Sequence, residues 1–600
     1  MGSPGKRTTR EATGVPGGKF IWSIAEPRGT GFRPFSGFRP FYCRNPGPAA
    51  MPLSADKPTM SSPGRITALL NHRDVQLLML LAFALLFNRE GDRVPSGNEW
   101  IYLLYVYKAW HPAFLAGDWT FLEPTAGHAI FNWVAGLATL IPAKSPAQSL
   151  SVVAWTGRFF CWTACFIALQ RLARRFSIPP WLGCLGIVLW LTERQSLVTT
   201  EWIVGTFEAK CVAYACLLFA IDFAIDGKLW RAGVLTGLAF TFHTAVGMWG
   251  GAALGVAVLL NSRVKKTVQF SAFAILFSLP GLITSLPLVL GAHAIRGDDS
   301  KFLVTMELPG ALDPATFPRI WPVVMFGLLG FGAAHAAWRW DRRGVRMLFQ
   351  IEAATGLFFL FGVTARLMHR FDWVQLYPLR VFSVIVMLLF FWQFLDAAWT
   401  ALVSTGPARP RAVVLLPGIA AFVCLPAPGV VLFETLRSHV RHVGPTSGGK
   451  WDTAPNDDGD FRNCAVWIAD HTATDILVIS PPWRNDAYYL MQRPLVVDWH
   501  APRYDRMTEW KSRIEAMTGP IEPDRTWAEA SRDLPTNPSE NLGPQARAFY
   551  AGLTAAQVEQ LHRDYGRSQV AYLVTPSEYP FTPVFRSGGM TVYRLPDIKQ

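Results

Sequence analysis

The chain has 600 residues, of which 51% are hydrophobic and only 16% charged. Soluble domains carry about 25% charged residues, so the composition excludes a protein that is soluble along its whole length. The net charge is +13, and residues 1–73 hold eleven Lys and Arg against three Asp and Glu. No recognition motif accompanies that charge, so a nucleic-acid partner is not expected.

Residues 1–65 are rich in Gly, Pro, Ser and Arg and contain no apolar core of a secretory signal. They read as a disordered, basic cytoplasmic tail, with Met51 and Met60 as alternative start residues. Residues 74–432 carry the apolar runs. A spanning helix needs about 20 apolar residues. Full-length candidates are 151–170, 206–225, 268–290, 319–338, 347–365, 378–400 and 411–432. Shorter ones are 74–88, 180–193, 231–246 and 248–261, which brings the expected total to about eleven. Gly247, Gly251 and Gly255 repeat every four residues, a pattern of tight helix packing. Six of the eight cysteines lie in these runs, and Cys464 is alone in the C-terminal region. Neither a disulfide framework there nor a cysteine metal site is expected.

Charge sets the expected topology, because Lys and Arg concentrate at cytoplasmic span ends. The clusters are Arg171, Arg174 and Arg175; Lys228 and Arg231; Arg263, Lys265 and Lys266; Arg339, Arg342, Arg343 and Arg346; and Arg409 and Arg411. With the N-terminus inside, all of them fall inside if HAIFNWVAGLATLIP (128–142) does not cross. That segment therefore reads as re-entrant or interfacial, and 89–150 as one large first outer loop.

The linker 444–460 precedes a change of periodicity, and 444–600 reads as an extracytoplasmic domain. Helices are expected at 461–472, 507–517 and 555–566, and strands at 475–480, 494–499, 569–576 and 590–595. Helices alternating with short apolar strands argue for a small α/β domain.

Ionisable residues in membrane segments are functional candidates. Glu208 and Lys210 open the 206–225 run, and Arg158 and His243 lie deeper in theirs. The segment TARLMHRFDWVQLYPLR places Arg366, His369, Arg370 and Arg380 on the outer side, against the general charge rule. Arginine forks match phosphate geometry, so an anionic lipid headgroup is the ligand they suit. The first outer loop supplies Glu99, Asp118 and His128 among six Trp and Tyr residues. Sugar transfer to a hydroxyl needs a base for the acceptor proton, which a carboxylate provides. It also needs cations for the leaving phosphate. Glu99 and the arginines supply these two halves on one predicted face.

At these residues the chain resembles the GT-C superfamily, multi-span glycosyltransferases that use polyprenyl-phosphate-linked sugars. The segments FEAKCVAYACLLFAIDFAIDGKLWRAGVLTGLAFTFHTAVGMWG and WIADHTATDILVISPPWRNDAYYLMQRPLVVDWHAPRYDRMTEWKSRI are similar to recurring patterns in uncharacterised bacterial members. The resemblance implies a mainly α, polytopic membrane protein with a small C-terminal α/β domain. It implies residence in the cytoplasmic membrane, and membrane lipids and a polyprenyl-phosphate sugar donor as partners. It implies a catalytic carboxylate in the first outer loop, here Glu99. Many members have paired acids there, and this chain has Asn98–Glu99. Some members use a divalent metal, the one cofactor the resemblance admits. Two other readings stand beside it. One is a transporter or flippase for a lipid-linked or anionic solute, with Glu208, Lys210, Arg158 and His243 lining its path. The other is a non-catalytic membrane assembly protein whose tail domain binds a partner.

Overall fold

A computed structural model describes residues 69–87, 94–122, 128–192, 195–199, 201–290, 295, 297–317, 320–404, 459–521, 544–566 and 570–598. The expected tail, most of the linker and the expected span at 411–432 lie outside the described residues.

The described chain is predominantly helical. Its first helices are α1 (Arg73–Phe87), α2 (Glu99–Lys108), α3 (Ala129–Gly136), α4 (Pro146–Ala173), α5 (Pro180–Thr192) and α6 (Ala209–Ile225). There follow α7 (Leu229–Phe242), α8 (Thr244–Asn261), α9 (Val264–Leu290), α10 (Asp298–Phe302), α11 (Trp321–Trp338), α12 (Arg343–Leu367) and α13 (Arg380–Val403). Among the described residues six helices are long and apolar enough to cross a membrane: α4, α8, α9, α11, α12 and α13. The protein is therefore a multi-pass membrane protein. Four more apolar segments of the sequence, in α1, α5, α6 and α7, form helices of 13 to 17 residues. α3 continues into a single 3-10 turn, Leu137–Leu140. At about 1.5 to 2 Å per residue this segment reaches about two thirds of a hydrocarbon core of about 30 Å. Its Trp133, Val134, Leu137 and Leu140 are exposed.

α13 is the axis of the bundle, with nearly every side chain from Val381 to Leu395 buried. Close approach between α7 and its neighbours depends on glycine. A Cβ at Gly233 would stand 2.4 Å from the Phe270 carbonyl oxygen, and one at Gly237 would stand 2.5 Å from that of Ala274. Of the expected ladder on α8, Gly247 and Gly251 pack tightly on α7: an added Cβ would stand 2.1 Å from the Phe240 backbone and 2.7 Å from Thr236. Gly255 has ordinary room.

The C-terminal domain has helices α14 (Gly459–His471), α15 (Ala487–Met491), α16 (Met507–Thr518), α17 (Pro544–Ala551) and α18 (Ala555–Tyr565). Its strands are β1 (Leu477–Ile479), β2 (Ala571–Thr575), β3 (Thr582–Ser587) and β4 (Met590–Arg594), in the order β1-β2-β4-β3. β1 and β2 are parallel, and the other pairs are antiparallel. The segment 494–499, expected as a strand, makes only one parallel bridge, Leu495 to Val478, so the sheet ends at β1. β3 was not expected, because Pro583 and its polar neighbours hide its periodicity. It pairs through a bulge at Pro583–Phe585.

The domain is seated on the 99–121 segment, and the two share one apolar cluster that includes Leu103, Val106, Phe121, Tyr488, Leu495 and Val592. Asp118 is the polar centre of the seat. Its carboxylate accepts from the amides of Thr120, Phe121 and Leu495 and from the Tyr488 hydroxyl. Arg503 donates to the Trp119 carbonyl. Asp118, expected to bind substrate, is 1% exposed and holds the domain instead.

Candidate functional site

Glu99 is the first residue of α2 and has no exposed surface. Arg158 of α4 clamps it with both arms, Nε at 2.8 Å and Nη2 at 2.5 Å. The amides of Ser96 and Phe207 donate to the same two oxygens. A general base must reach the proton it removes. Glu99 presents no oxygen to any open space, so the expected catalytic carboxylate is an anchor joining α2, α4 and the strap before α6. Arg158, also fully buried, is its partner and lines no pathway.

Of the four outer-side arginine and histidine candidates, two are likewise engaged elsewhere and a third is exposed. Arg366 forks onto Asp313 at 2.8 and 3.2 Å. Arg370 pairs with Asp372 at the exposed surface. His369 is exposed, with a left-handed φ of 54°. Arg380, the first residue of α13, alone turns inward.

Around Arg380 the chain gathers polar side chains from seven separate elements. Arg380 Nε lies 3.1 Å from Glu201 and its Nη1 3.0 Å from His243 Nε2, and the guanidinium stacks on Tyr377 at 4.4 Å. Lys210, on the first turn of α6, pairs with Glu208 at 3.2 Å and lies 3.8 Å over the Trp202 ring. His128 caps the start of α3, its ring 5.1 Å from that of His243 and 5.5 Å from Tyr102. Glu307 ends a π-helical turn that continues α10, a distortion that often marks functional sites. Tyr504, from the C-terminal domain, interacts with Tyr377 and faces Glu307 and Tyr102.

The strap carrying Glu201 and Glu208 is shaped by Gln195. Its carbonyl oxygen accepts from the amides of Ile203 and Val204, and its amide donates to the Val204 oxygen. Trp162 of α4 donates to the Gly205 carbonyl at 3.2 Å. Helix starts favour negative charge, which suits Glu208 at the N-cap of α6.

Glu201, Glu208, Lys210 and His243 are buried at 4 to 8% exposure, whereas Tyr102, His128, Glu307, Tyr377, Arg380 and Tyr504 keep part of their surface accessible. The buried oxygens Glu201 Oε1 and Glu307 Oε2 have no hydrogen-bond partner. Burial without a cation pushes the Glu307 carboxyl up to about 8. Burial, with Arg380 and Lys210 nearby, pushes His128 down to about 4. At neutral pH the site thus holds two cations, each paired with a glutamate, a neutral imidazole and an acid poised to exchange its proton. A guanidinium carries five N–H donors and an ammonium three; Glu201 and His243 engage two nitrogens of Arg380, and Glu208 engages Lys210. Among the described residues no group of three His, Cys, Asp or Glu is placed to hold a metal.

Of the sequence candidates, Arg380, Glu208, Lys210 and His128 come together. No motif in the sequence marks Glu201, Glu307, Tyr102, Tyr377 or Tyr504, and His243 reads from it as a pathway residue. The readable signal was a glutamate beside apolar residues, as in EWIV and VTMELPG.

Fold and site together define a multi-pass helical membrane protein with a site of paired cations and carboxylates beside a C-terminal domain. No protein-family model matches the chain, and no curated protein matches its sequence. Among solved structures it is similar to the archaeal oligosaccharyltransferase AglB from Archaeoglobus fulgidus, in complex with an inhibitory peptide and a dolichol-phosphate. Identity is 10%, with 83% of this chain and 69% of that chain covered and a TM-score of 0.45. It is also similar to ArnT from Cupriavidus metallidurans bound to undecaprenyl phosphate, at 11% identity over 89% of this chain and 98% of that chain, with a TM-score of 0.44. The likeness concerns the course of the chain and gives no residue its role.

Proposed function

We propose that the chain is a membrane glycosyltransferase that takes a sugar from a polyprenyl-phosphate carrier and passes it to an acceptor hydroxyl at the Arg380 site. The observation that carries this reading is the convergence of two cations, Arg380 and Lys210, with Glu307, a carboxyl whose Oε2 has no hydrogen-bond partner and which shares the neighbours Tyr102 and Tyr377 with Arg380. The acceptor oxygen forms a bond to the anomeric carbon as the bond from that carbon to the phosphate oxygen breaks. The electron pair leaves with the lipid phosphate, whose charge Arg380 and Lys210 meet. The acceptor proton passes to Glu307, and Glu201 and Glu208 fix the two cations. Tyr504 brings the C-terminal domain to the rim, where an acceptor enters.

The charge distribution supports an orientation. α6 begins at the site and ends beside Asp226, about 26 Å away at 1.5 Å per residue. At that far end Arg171, Arg175, Lys228, Arg343 and Arg346 gather. By the positive-inside rule we infer that this end faces the cytoplasm, with the N-terminus inside the cytoplasmic membrane and the site and C-terminal domain outside.

The test is release of lipid phosphate by purified protein given a panel of polyprenyl-phosphate sugars, followed by mass spectrometry. Wild type is expected to release it, and Glu307→Gln and Arg380→Gln, folded and monodisperse, are not. Solute flux in liposomes with no released lipid phosphate from any donor would overturn the reading in favour of a transporter.

A further inference from the structure

The basic end of the bundle holds two kinds of arginine. Arg171 and Arg175 pair with Asp222 and Asp226, and Arg339 pairs with Asp396. These are ion pairs that tie helices together. Arg263, Arg343 and Arg346 have no carboxylate partner among the described residues. All three line one cleft of about 540 Å3 between the α8–α9 turn and the α11–α12 turn.

The cleft is built rather than left over. Arg346 is fixed from two sides, its Nε donating to Asn261 at 3.2 Å and its Nη1 to the Trp340 carbonyl at 3.0 Å. Asn261 is itself held by the Ala257 carbonyl and by Gln350. Arg346 also stands 5.7 Å from the Trp340 ring centre, and Trp340 is 48% exposed. Next to the cleft Leu259, Leu260 and Val264 are 60, 64 and 75% exposed. They form an apolar flank where a membrane-spanning helix ends and the next begins. Like charges left unpaired around one cavity repel one another, and an anion removes that cost. Planar guanidinium forks suit phosphate oxygens, and an exposed tryptophan at a span end sits at headgroup level.

We propose that this cleft is a binding site for a phosphate group, separate from the Arg380 site and at the opposite end of the bundle. The group is supplied either by an anionic lipid headgroup or as free phosphate. The apolar flank accommodates acyl chains in the first case.

Native mass spectrometry of the purified full chain tests this, with phosphatidic acid, phosphatidylcholine and inorganic phosphate as probes. Wild type is expected to retain phosphatidic acid at least tenfold more tightly than the Arg343→Gln/Arg346→Gln variant, and phosphatidylcholine equally weakly in both. Inorganic phosphate that displaces the lipid at millimolar concentration identifies free phosphate as a sufficient ligand. Failure to displace it identifies the lipid form. If the double variant is unstable, Arg263→Glu replaces it, since that side chain is exposed and its loss disturbs no packing. Equal retention of phosphatidic acid by wild type and the folded variant would overturn the site. Release of lipid phosphate at the Arg380 site is unaffected in either case, so the two readings fail independently.

Discussion

The Glu99–Arg158 pair gives the sharpest separation between an anchor and a catalytic base. Both side chains are fully buried, and the carboxylate receives two guanidinium arms and two backbone amides. Glu99→Gln leaves Arg158 charged, buried and without a counter-charge. Breaking a buried pair on one side costs about 3 to 5 kcal/mol. Arg158→Met leaves the carboxylate in the same position and falls in the same range. The double change removes both charges and keeps one glutamine oxygen for an amide. It is expected to cost about 1 to 3 kcal/mol, from one unmatched backbone amide, the glutamine NH2 facing it and altered packing. Thermal unfolding in detergent, followed by tryptophan fluorescence, should therefore place the double variant above both singles. Activity per folded molecule should be preserved in all three. Wild-type melting of Glu99→Gln together with complete loss of transfer would refute the anchor and restore Glu99 as the base.

The remaining expectations use other assays. If Glu307 takes the acceptor proton, only its ionised form works. With its pKa near 8, about a tenth is ionised at pH 7, so kcat should rise with pH through a midpoint near 8. A flat profile between pH 6 and 9 would remove Glu307 from the reaction. His128, depressed to about 4, stays neutral throughout that range and should add no second midpoint. Gly157→Ala would put a methyl 2.3 Å from the Phe207 ring. Overpacking of this kind costs about 1 to 3 kcal/mol, and it should lower the melting temperature through the same strap that holds Glu99. Asp118→Ala removes the acceptor for three amides and a hydroxyl at the domain seat. It should expose 459–598 to limited proteolysis while leaving the membrane bundle resistant, whereas an unchanged cleavage pattern would show that the seat is held by apolar contact alone.

The helices were legible wherever an apolar run could bury only in lipid or in the bundle. The strand at 494–499 was not, because an apolar run of six residues fits a loop packed under a sheet as well as a strand within it. Leu495 and Val496 are buried there with a single bridge to β1. The site was half legible. Charge out of place drew attention to Arg380 and Lys210, since burial makes such residues expensive. What each charge faces is set by contacts far apart in sequence, 59 residues for Arg158 with Glu99 and 137 for Arg380 with His243, and spacing carries no trace of them.

That difference explains why sequence alone does not separate the two roles for Glu99. A carboxylate among aromatics has the same local signature whether it serves as an anchor or as a base. What separates the two is how many of its lone pairs the fold has already filled. Glu99 has four donors and no access, while Glu307 has an oxygen without a donor and partial access. An anchor gains from saturation, because each unmade hydrogen bond in a low-dielectric interior is costly. A base must bear that cost until substrate arrives, and the raised pKa of Glu307 is its measure. Glu307 is therefore the acid that the proposed reaction calls on as base, and the pH profile reports on it directly.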